Sequence, residues 1–244
     1  MRQTTQNECI YGELGRMPLQ IRRFVRIVKY WLNIVIGLKS HLVNICYSAC
    51  VRTLDVNTKP NWARSVRHLL CSNGFGEVWY NQGVGNIEAF IQVFKNTLRD
   101  IYKQDWNATV TISPKCRFYK CIKPFHQPSE YLSIVVPQSH RTAMTRLLVS
   151  SHSLRIETGR WTRPVTLRNE RKCTTCNKLE DEYHFLLECS RYHQIRKKLI
   201  PEYYWKTPSM FKVVKLLQCN DGKIIKGLAK YIYEAFRLQN LTIS

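Results

Sequence analysis

The feature that most constrains this chain is a group of three cysteines and one histidine in its last third. The residues follow the spacing Cys-x2-Cys-x7-His-x4-Cys and are Cys173, Cys176, His184 and Cys189. Tetrahedral zinc takes four thiolate or imidazole ligands at about 2.0–2.3 Å, and a Cys-x2-Cys turn can direct two sulfur atoms at one point. The spacing therefore predicts a Zn²⁺ site; the alternative is three core thiols beside a surface histidine.

Helix geometry restricts how the last ligand can reach the others. We expect His184 on the first turn of a helix that begins near Asp181. Cys189 is five residues further on, about 500° around an ideal helix, so it lies on another face unless the helix loosens or ends. We predict that the helix ends at Cys189 and that Ser190 caps the next one. Four protein ligands leave no position for an activated water, so the predicted zinc is structural.

The remaining cysteines carry less information. The first 20 residues contain no apolar run typical of a secretory signal, so we expect an intracellular protein, in the nucleus or cytoplasm, without a disulfide scaffold. The seven scattered cysteines are then predicted to be buried thiols. Two other combinations are weaker metal candidates. Cys46 and Cys50 near His41 are better explained by packed thiols, and Cys116 with Cys121 and His126 lacks a fourth ligand nearby and is crowded by Lys120 and Lys123.

Hydrophobic periodicity predicts a mainly α fold, a multi-helix bundle with a small embedded CCHC zinc module. Apolar residues recur at spacings of three and four over 19–38, with arginines between them, which indicates one buried and one basic face. Asn61 and Asn86 are predicted helix caps, 74–86 a loop, and Thr207 the cap of a late helix. Periodicity leaves 131–136 open between strand and helix. The predicted segments are N-terminal amphipathic helices (1–58), a helical scaffold (61–150), the zinc module with its basic flank (151–207) and C-terminal helices (208–244).

Positive charge is concentrated just before the cysteine cluster. The whole chain carries a net charge of +21, which favours an anionic partner such as nucleic acid or an acidic membrane surface. Residues 113–172 hold 12 basic and 3 acidic residues, a net charge of +9, whereas 61–112 carry +1. Polar residues and Gly37 interrupt the most apolar stretch, so we expect no membrane span. We predict these residues as nucleic-acid contacts: Arg155, Arg160, Arg163, Arg171 and Lys172 on phosphates, with Trp161 as a stacking residue. The alternative for Trp161 is packing against the zinc module.

The cysteine phrase, preceded by Arg160-Trp161, resembles the C-terminal zinc segment of non-LTR (LINE-like) retrotransposon reverse transcriptases. The stretches Gly12–Leu19 and Asn81–Asn86 are similar to the helical region that follows the polymerase domain in such elements. The resemblance implies a protein that engages RNA or DNA during target-primed reverse transcription. It also implies metal ligation by Cys173, Cys176, His184 and Cys189.

Catalytic residues are not evident in the sequence. Two-metal polymerase chemistry needs paired carboxylates, and the five aspartates are dispersed and never adjacent. We therefore expect no polymerase or endonuclease activity and no small-molecule substrate; the sequence does not indicate the oligomeric state. A non-enzymatic helical interaction module stapled by a structural zinc remains the alternative to nucleic-acid binding.

Overall fold

The computed structural model describes residues 5–37, 39–54 and 61–240. They form a mainly α-helical fold with a cysteine–histidine cluster embedded in it, which confirms the predicted fold class. Within these ranges there is no β-strand, and two isolated bridges pair Leu14 with Pro128 and Lys172 with Leu179. The predicted linker 55–60 lies outside the described residues.

The α-helices follow one another with short connections. Their bounds are α1 (Asn7–Leu14), α2 (Leu19–Val35), α3 (His41–Arg52), α4 (Trp62–Ser72), α5 (Gly76–Tyr80), α6 (Ile87–Ile112), α7 (Tyr119–Ile122), α8 (Tyr131–Ile134), α9 (Gln138–Leu148), α10 (Arg155–Thr158), α11 (His193–Leu199), α12 (Glu202–Trp205), α13 (Met210–Leu217) and α14 (Gly222–Asn240). Short 3₁₀ turns cover Pro114–Cys116, Arg168–Glu170 and Ser190–Tyr192, and a π-helical turn covers His184–Glu188.

The chain divides into two compact units. The small unit is 17–105, and the large unit combines 1–16 with 106–244. The predicted zinc module, 151–207, lies within the large unit, and the predicted scaffold, 61–150, contributes residues to both. No helix in the described ranges combines the length and apolar character that crossing a bilayer requires.

The small unit is built around a cluster of aromatic rings. Trp31 of α2 stacks on Trp79 of α5, with ring centroids 5.4 Å apart. Phe75 meets Phe94 of α6 edge to face at 5.3 Å. The prediction of a loop over 74–86 is therefore wrong in part. The four nearby glycines disfavour a helix, but Gly76–Tyr80 is helical because the helix buries Trp79 in the core of the small unit.

Two of the predicted helix caps are confirmed. The Asn61 side chain accepts a hydrogen bond from the Ala63 amide at 2.8 Å at the start of α4. The Asn86 side chain accepts one from the Ala89 amide at 3.0 Å at the start of α6. Each cap satisfies an amide that has no partner within its helix.

The predicted cap at Thr207 is wrong. Helix α13 begins at Met210, and Ser209 supplies the cap through a hydrogen bond from the Lys212 amide to its hydroxyl at 3.3 Å. The backbone of Ser209 is extended, with φ −154°, which places its hydroxyl over the first turn.

Helix α14 organises the large unit and packs against α8, α9 and α11. Its apolar face includes Leu228, Ile232 and Ala235, all fully buried. The segment 131–136, which periodicity leaves open, contains α8. Core residues from the cysteine region, including Phe185 and Leu186, join the same hydrophobic cluster. The cysteine cluster therefore lies against the main core of this unit.

Candidate metal centre and basic surface

A short hairpin brings Cys173 and Cys176 together. The Cys173 amide donates to the Lys178 carbonyl at 2.7 Å, and the Asn177 amide donates to the Cys173 carbonyl at 2.9 Å. Asn177 has a left-handed backbone, with φ 53°, a conformation that asparagine tolerates better than most residues. The tight turn directs both thiols to the same side of the hairpin.

A π-helical turn brings His184 and Cys189 together. The Cys189 amide donates to the His184 carbonyl at 2.8 Å, which closes a five-residue turn. Residues five apart are adjacent in this geometry, whereas an ideal α-helix separates them. The helix ends at Cys189, whose φ of −54° and ψ of 124° are not helical. The predicted helix end is confirmed.

The predicted role of Ser190 as a cap is wrong. The cap position belongs to Cys189, and no side-chain cap is present there. The Ser190 hydroxyl instead lies 3.2 Å from the Cys176 sulfur. It faces the cysteine cluster because the chain turns sharply at Cys189.

The four side chains converge on one point. Their ligand atoms all lie within 4.8 Å of one another. The Cys189 sulfur is 3.8 Å from the sulfur of Cys173 and 3.8 Å from that of Cys176. Two sulfurs at about 2.3 Å from a tetrahedral ion are separated by about 3.8 Å. The cluster can therefore hold a metal ion with little rearrangement, and it is the single Cys/His/Asp/Glu group of this kind among the described residues.

His184 is held in an orientation suited to a ligand. Its Nδ1 lies 3.4 Å from a carboxylate oxygen of Glu188, and its Nε2 is buried without a hydrogen-bond partner. Donation from Nδ1 to the carboxylate leaves the Nε2 lone pair free for an ion. Glu188 was missed in the sequence analysis, although its position four residues after His184 is a usable signal.

The electrostatics describe a site that gains from a cation. Burial, together with the neighbouring thiols Cys173 and Cys176, raises the pKa of Cys189 to about 12. Burial also raises the pKa of Cys176, but hydrogen bonds from Ser190 and the other two cysteines outweigh it and leave that pKa below its usual value. Without a cation, three thiolates this close would repel one another. A bound divalent ion attracts them instead and lowers the pKa of each coordinating thiol, so that the thiols lose their protons.

The nearby carboxylates have other tasks. Asp181 accepts a hydrogen bond from the His184 amide at 2.9 Å and so caps the helical turn that follows it. Glu182 lies 3.1 Å from the Nε2 of buried His152. Neither belongs to the cluster, so its chemistry is that of three thiols and one imidazole.

A buried arginine supports the metal-binding turn from behind. The Arg196 guanidinium donates to the Leu186 carbonyl at 2.8 Å and to the Cys189 carbonyl at 2.9 Å. Tyr231 of α14 adds a hydrogen bond to the Phe185 carbonyl at 2.6 Å. The basic run Arg196-Lys197-Lys198 predicts a solvated helix face, and for Arg196 this prediction is wrong. Arg196 is 1% exposed and fixes the backbone that presents Cys189.

The predicted nucleic-acid contacts fall into two groups. Arg155, Arg163, Lys172 and Trp161 are exposed, and Trp161 retains 55% of its accessible surface. Arg160 is half-buried and pairs with Glu157 at 3.0 Å.

Arg171 does not fit the predicted role of phosphate contact. It is buried, and its guanidinium donates to the Ile156 carbonyl at 2.8 Å and to the Thr166 carbonyl at 2.9 and 3.0 Å. Gly159 makes room for it, because a Cβ there would lie 2.8 Å from the Arg171 side chain. Arg171 therefore holds the backbone of the basic segment in place and does not offer its charge to a ligand.

A cleft beside this segment adds two arginines that the predicted set lacks. The cleft has a volume of about 380 Å³ and is lined by charged and aromatic residues. Arg117 and Arg168 line it and are exposed. The cleft lining also contains a negative charge, that of buried Glu157, which pairs with Lys115 at 3.6 Å. The signal for both arginines was their place in the +9 segment.

The predicted burial of the other cysteines is confirmed for two of them and wrong for three. Cys9 and Cys116 are buried, with their sulfurs 3.4 Å apart. Cys46, Cys71 and Cys121 are exposed, so their predicted burial is wrong; they lie on solvent-facing sides of helical segments. The combinations around Cys46 and Cys121 do not form metal-binding groups in the described residues.

No protein-family model, curated protein or solved structure matches this chain.

Proposed function

We propose that the cluster holds one structural Zn²⁺ and that the surrounding module binds nucleic acid, as the C-terminal zinc region of a retroelement reverse transcriptase does. The observation that carries the metal assignment is the convergence of Cys173, Cys176, Cys189 and His184 within 4.8 Å. Three thiolates and one imidazole bind Zn²⁺ in preference to Mg²⁺ or Ca²⁺, which take oxygen ligands. When bound, the ion would cross-link the hairpin to the π-helical turn, with Glu188 orienting the histidine.

The nucleic-acid part of the proposal rests on basic side chains that pair with no carboxylate among the residues the structure describes. Arg163 and Lys172 are exposed, and Lys172 pairs with Leu179 at the base of the hairpin that carries Cys173. Trp161 lies nearby along the chain with most of its ring accessible, and the Lys115 ammonium is 5.4 Å from the ring centre. Cations on phosphates and an accessible ring for stacking are the combination that holds single strands. Within this proposal the module positions nucleic acid and carries out no chemistry of its own.

Salt dependence of binding tests this function. The variant Arg163→Gln/Lys172→Gln removes two exposed cations from the basic segment that precedes the cysteine cluster. For single-stranded RNA each lost phosphate contact lowers the log–log salt slope by about 0.7, so we expect a decrease of about 1.4. The matched control is Lys197→Gln/Lys198→Gln, which removes two exposed cations from α11.

Fluorescence anisotropy with a labelled single strand measures both slopes in zinc-loaded protein. An unchanged slope in the first variant, or an equal change in the control, would reject the proposed surface. The alternative function, a protein-interaction module stapled by the same ion, predicts no salt-dependent affinity for nucleic acid in the parent protein.

A further inference from the structure

The small unit carries a second positively charged groove, far along the chain from the cysteine cluster. It has a volume of about 450 Å³ and lies between α2 and the start of α4. The residues that line it are Leu19, Arg22, Arg23, Arg26, Ile27, Tyr30 and Trp62. Three guanidinium groups within five residues and two aromatic rings thus share one concave surface.

The charge of this groove is not neutralised locally. Residues 17–54 contain six Lys or Arg and no Asp or Glu. On the same helix, Lys29 does have a partner and pairs with Glu88 at 2.5 Å. Arg22, Arg23 and Arg26 are exposed and lie in no ion pair of the described residues. Like charges this close repel one another and destabilise the fold. An anionic ligand that contacts all three arginines would remove this repulsion.

The aromatic part of the groove is held in place by its neighbours. Trp62 meets Tyr30 edge to face at 6.0 Å and Tyr47 at 6.3 Å. Tyr30 and Trp62 remain 45% and 37% exposed. The Lys39 ammonium lies 5.1 Å from the centre of the Tyr30 ring. Fixed, accessible rings beside arginines provide stacking surfaces for unpaired bases at low entropic cost.

The packing of α2 argues against a membrane as the anionic partner. A helix that lies in a bilayer surface needs a free apolar face. Here the apolar face of α2, with Val28, Trp31 and Leu32, is fully buried in the small unit. Of the apolar residues of α2, Leu19 and Ile27 line the groove, which is too few for the continuous apolar face that a helix inserts into a bilayer surface.

We propose that this groove is a nucleic-acid site separate from the metal centre, which binds a single strand with phosphates on Arg22, Arg23 and Arg26 and a base against Tyr30 or Trp62. RNA and DNA share this chemistry. The two single-stranded probes below distinguish them.

The test compares two variants of the full chain that lose the same charge. Arg22→Gln/Arg26→Gln removes two cations four residues apart in the groove. Lys95→Gln/Arg99→Gln removes two cations with the same spacing on α6, outside the groove. Labelled oligouridylate and oligothymidylate serve as probes, and circular dichroism verifies that each variant retains its helical content.

We expect the groove variant to lower the log–log salt slope by about 1.4 and to weaken binding about 25-fold at 0.1 M salt, from two lost contacts at about 0.7 each. The control variant should bind as the parent does. A loss with either probe supports the site and identifies the preferred sugar. Photocrosslinking with 5-iodouridine should yield adducts on peptides that contain Tyr30 or Trp62.

Three results would overturn the proposal. One is parental affinity and slope in a folded groove variant. Another is an equal loss in both variants, which would indicate net charge alone. The third is a groove variant that keeps its affinity for both oligonucleotides but no longer binds phosphatidylserine vesicles, which would assign the groove to a membrane surface.

Discussion

Replacing Arg196 by Met tests whether a buried cation maintains the metal-binding turn. The Arg196 guanidinium makes two short hydrogen bonds, at 2.8 Å to the Leu186 carbonyl and 2.9 Å to the Cys189 carbonyl. Hydrogen bonds to a charged group contribute about 1.5–3 kcal/mol each, so their loss should lower the free energy of unfolding by about 3–6 kcal/mol. Because one bond holds the backbone of Cys189, metal should also leave the variant faster.

Two measurements check this expectation. Urea denaturation gives the free energy of unfolding, and a chromogenic chelator reports the rate of metal release from the native protein. Lys197→Met is the matched control, because Lys197 is exposed on the same helix, and it should change the free energy by less than about 0.5 kcal/mol. An Arg196→Met protein with the stability and release rate of the parent would refute the reasoning. Arg196→Lys keeps the charge but has one ammonium for two carbonyls, so it should fall between the two.

Two further predictions concern orientation and packing. Glu188→Gln removes the charge that orients His184 and should weaken metal binding about 10- to 100-fold in a competition assay with a chelator, whereas an unchanged affinity would show that the histidine is held by packing alone. Gly227→Ala should destabilise the protein although alanine favours helices, because its Cβ would lie 2.6 Å from the Leu199 carbonyl oxygen. Gly222→Ala on the same helix meets its nearest atom at 3.7 Å and should be neutral or stabilising in thermal denaturation, so equal effects of the two changes would contradict the packing of α14.

The sequence predicts the helical parts well where one periodic face is buried. Helix α4 begins after Asn61 and α6 after Asn86, because an asparagine side chain at a cap satisfies local amides and needs no tertiary information. Helix α5 is different. It forms because Trp79 stacks on Trp31, a contact between residues 48 positions apart that no local pattern contains.

The metal ligands are also readable from spacing, since the four residue types and their intervals restrict the geometry strongly. The residues that hold these ligands in position are harder to predict from the sequence. The π-helical turn that aligns His184 with Cys189 depends on Arg196, and a basic run on a helix gives no sign that its first residue is buried. The role of Arg171 could not be predicted from the sequence either, because the carbonyls that accept its hydrogen bonds come close to it only in the folded chain.

The metal content of the purified protein tests the central claim most directly. Native mass spectrometry and elemental analysis of protein prepared without chelators should find one zinc per chain. The Cys176→Ser variant should have much less, because it retains three of the four ligands. A parent protein without bound metal, or a Cys176→Ser variant with the same zinc content as the parent, would contradict the account.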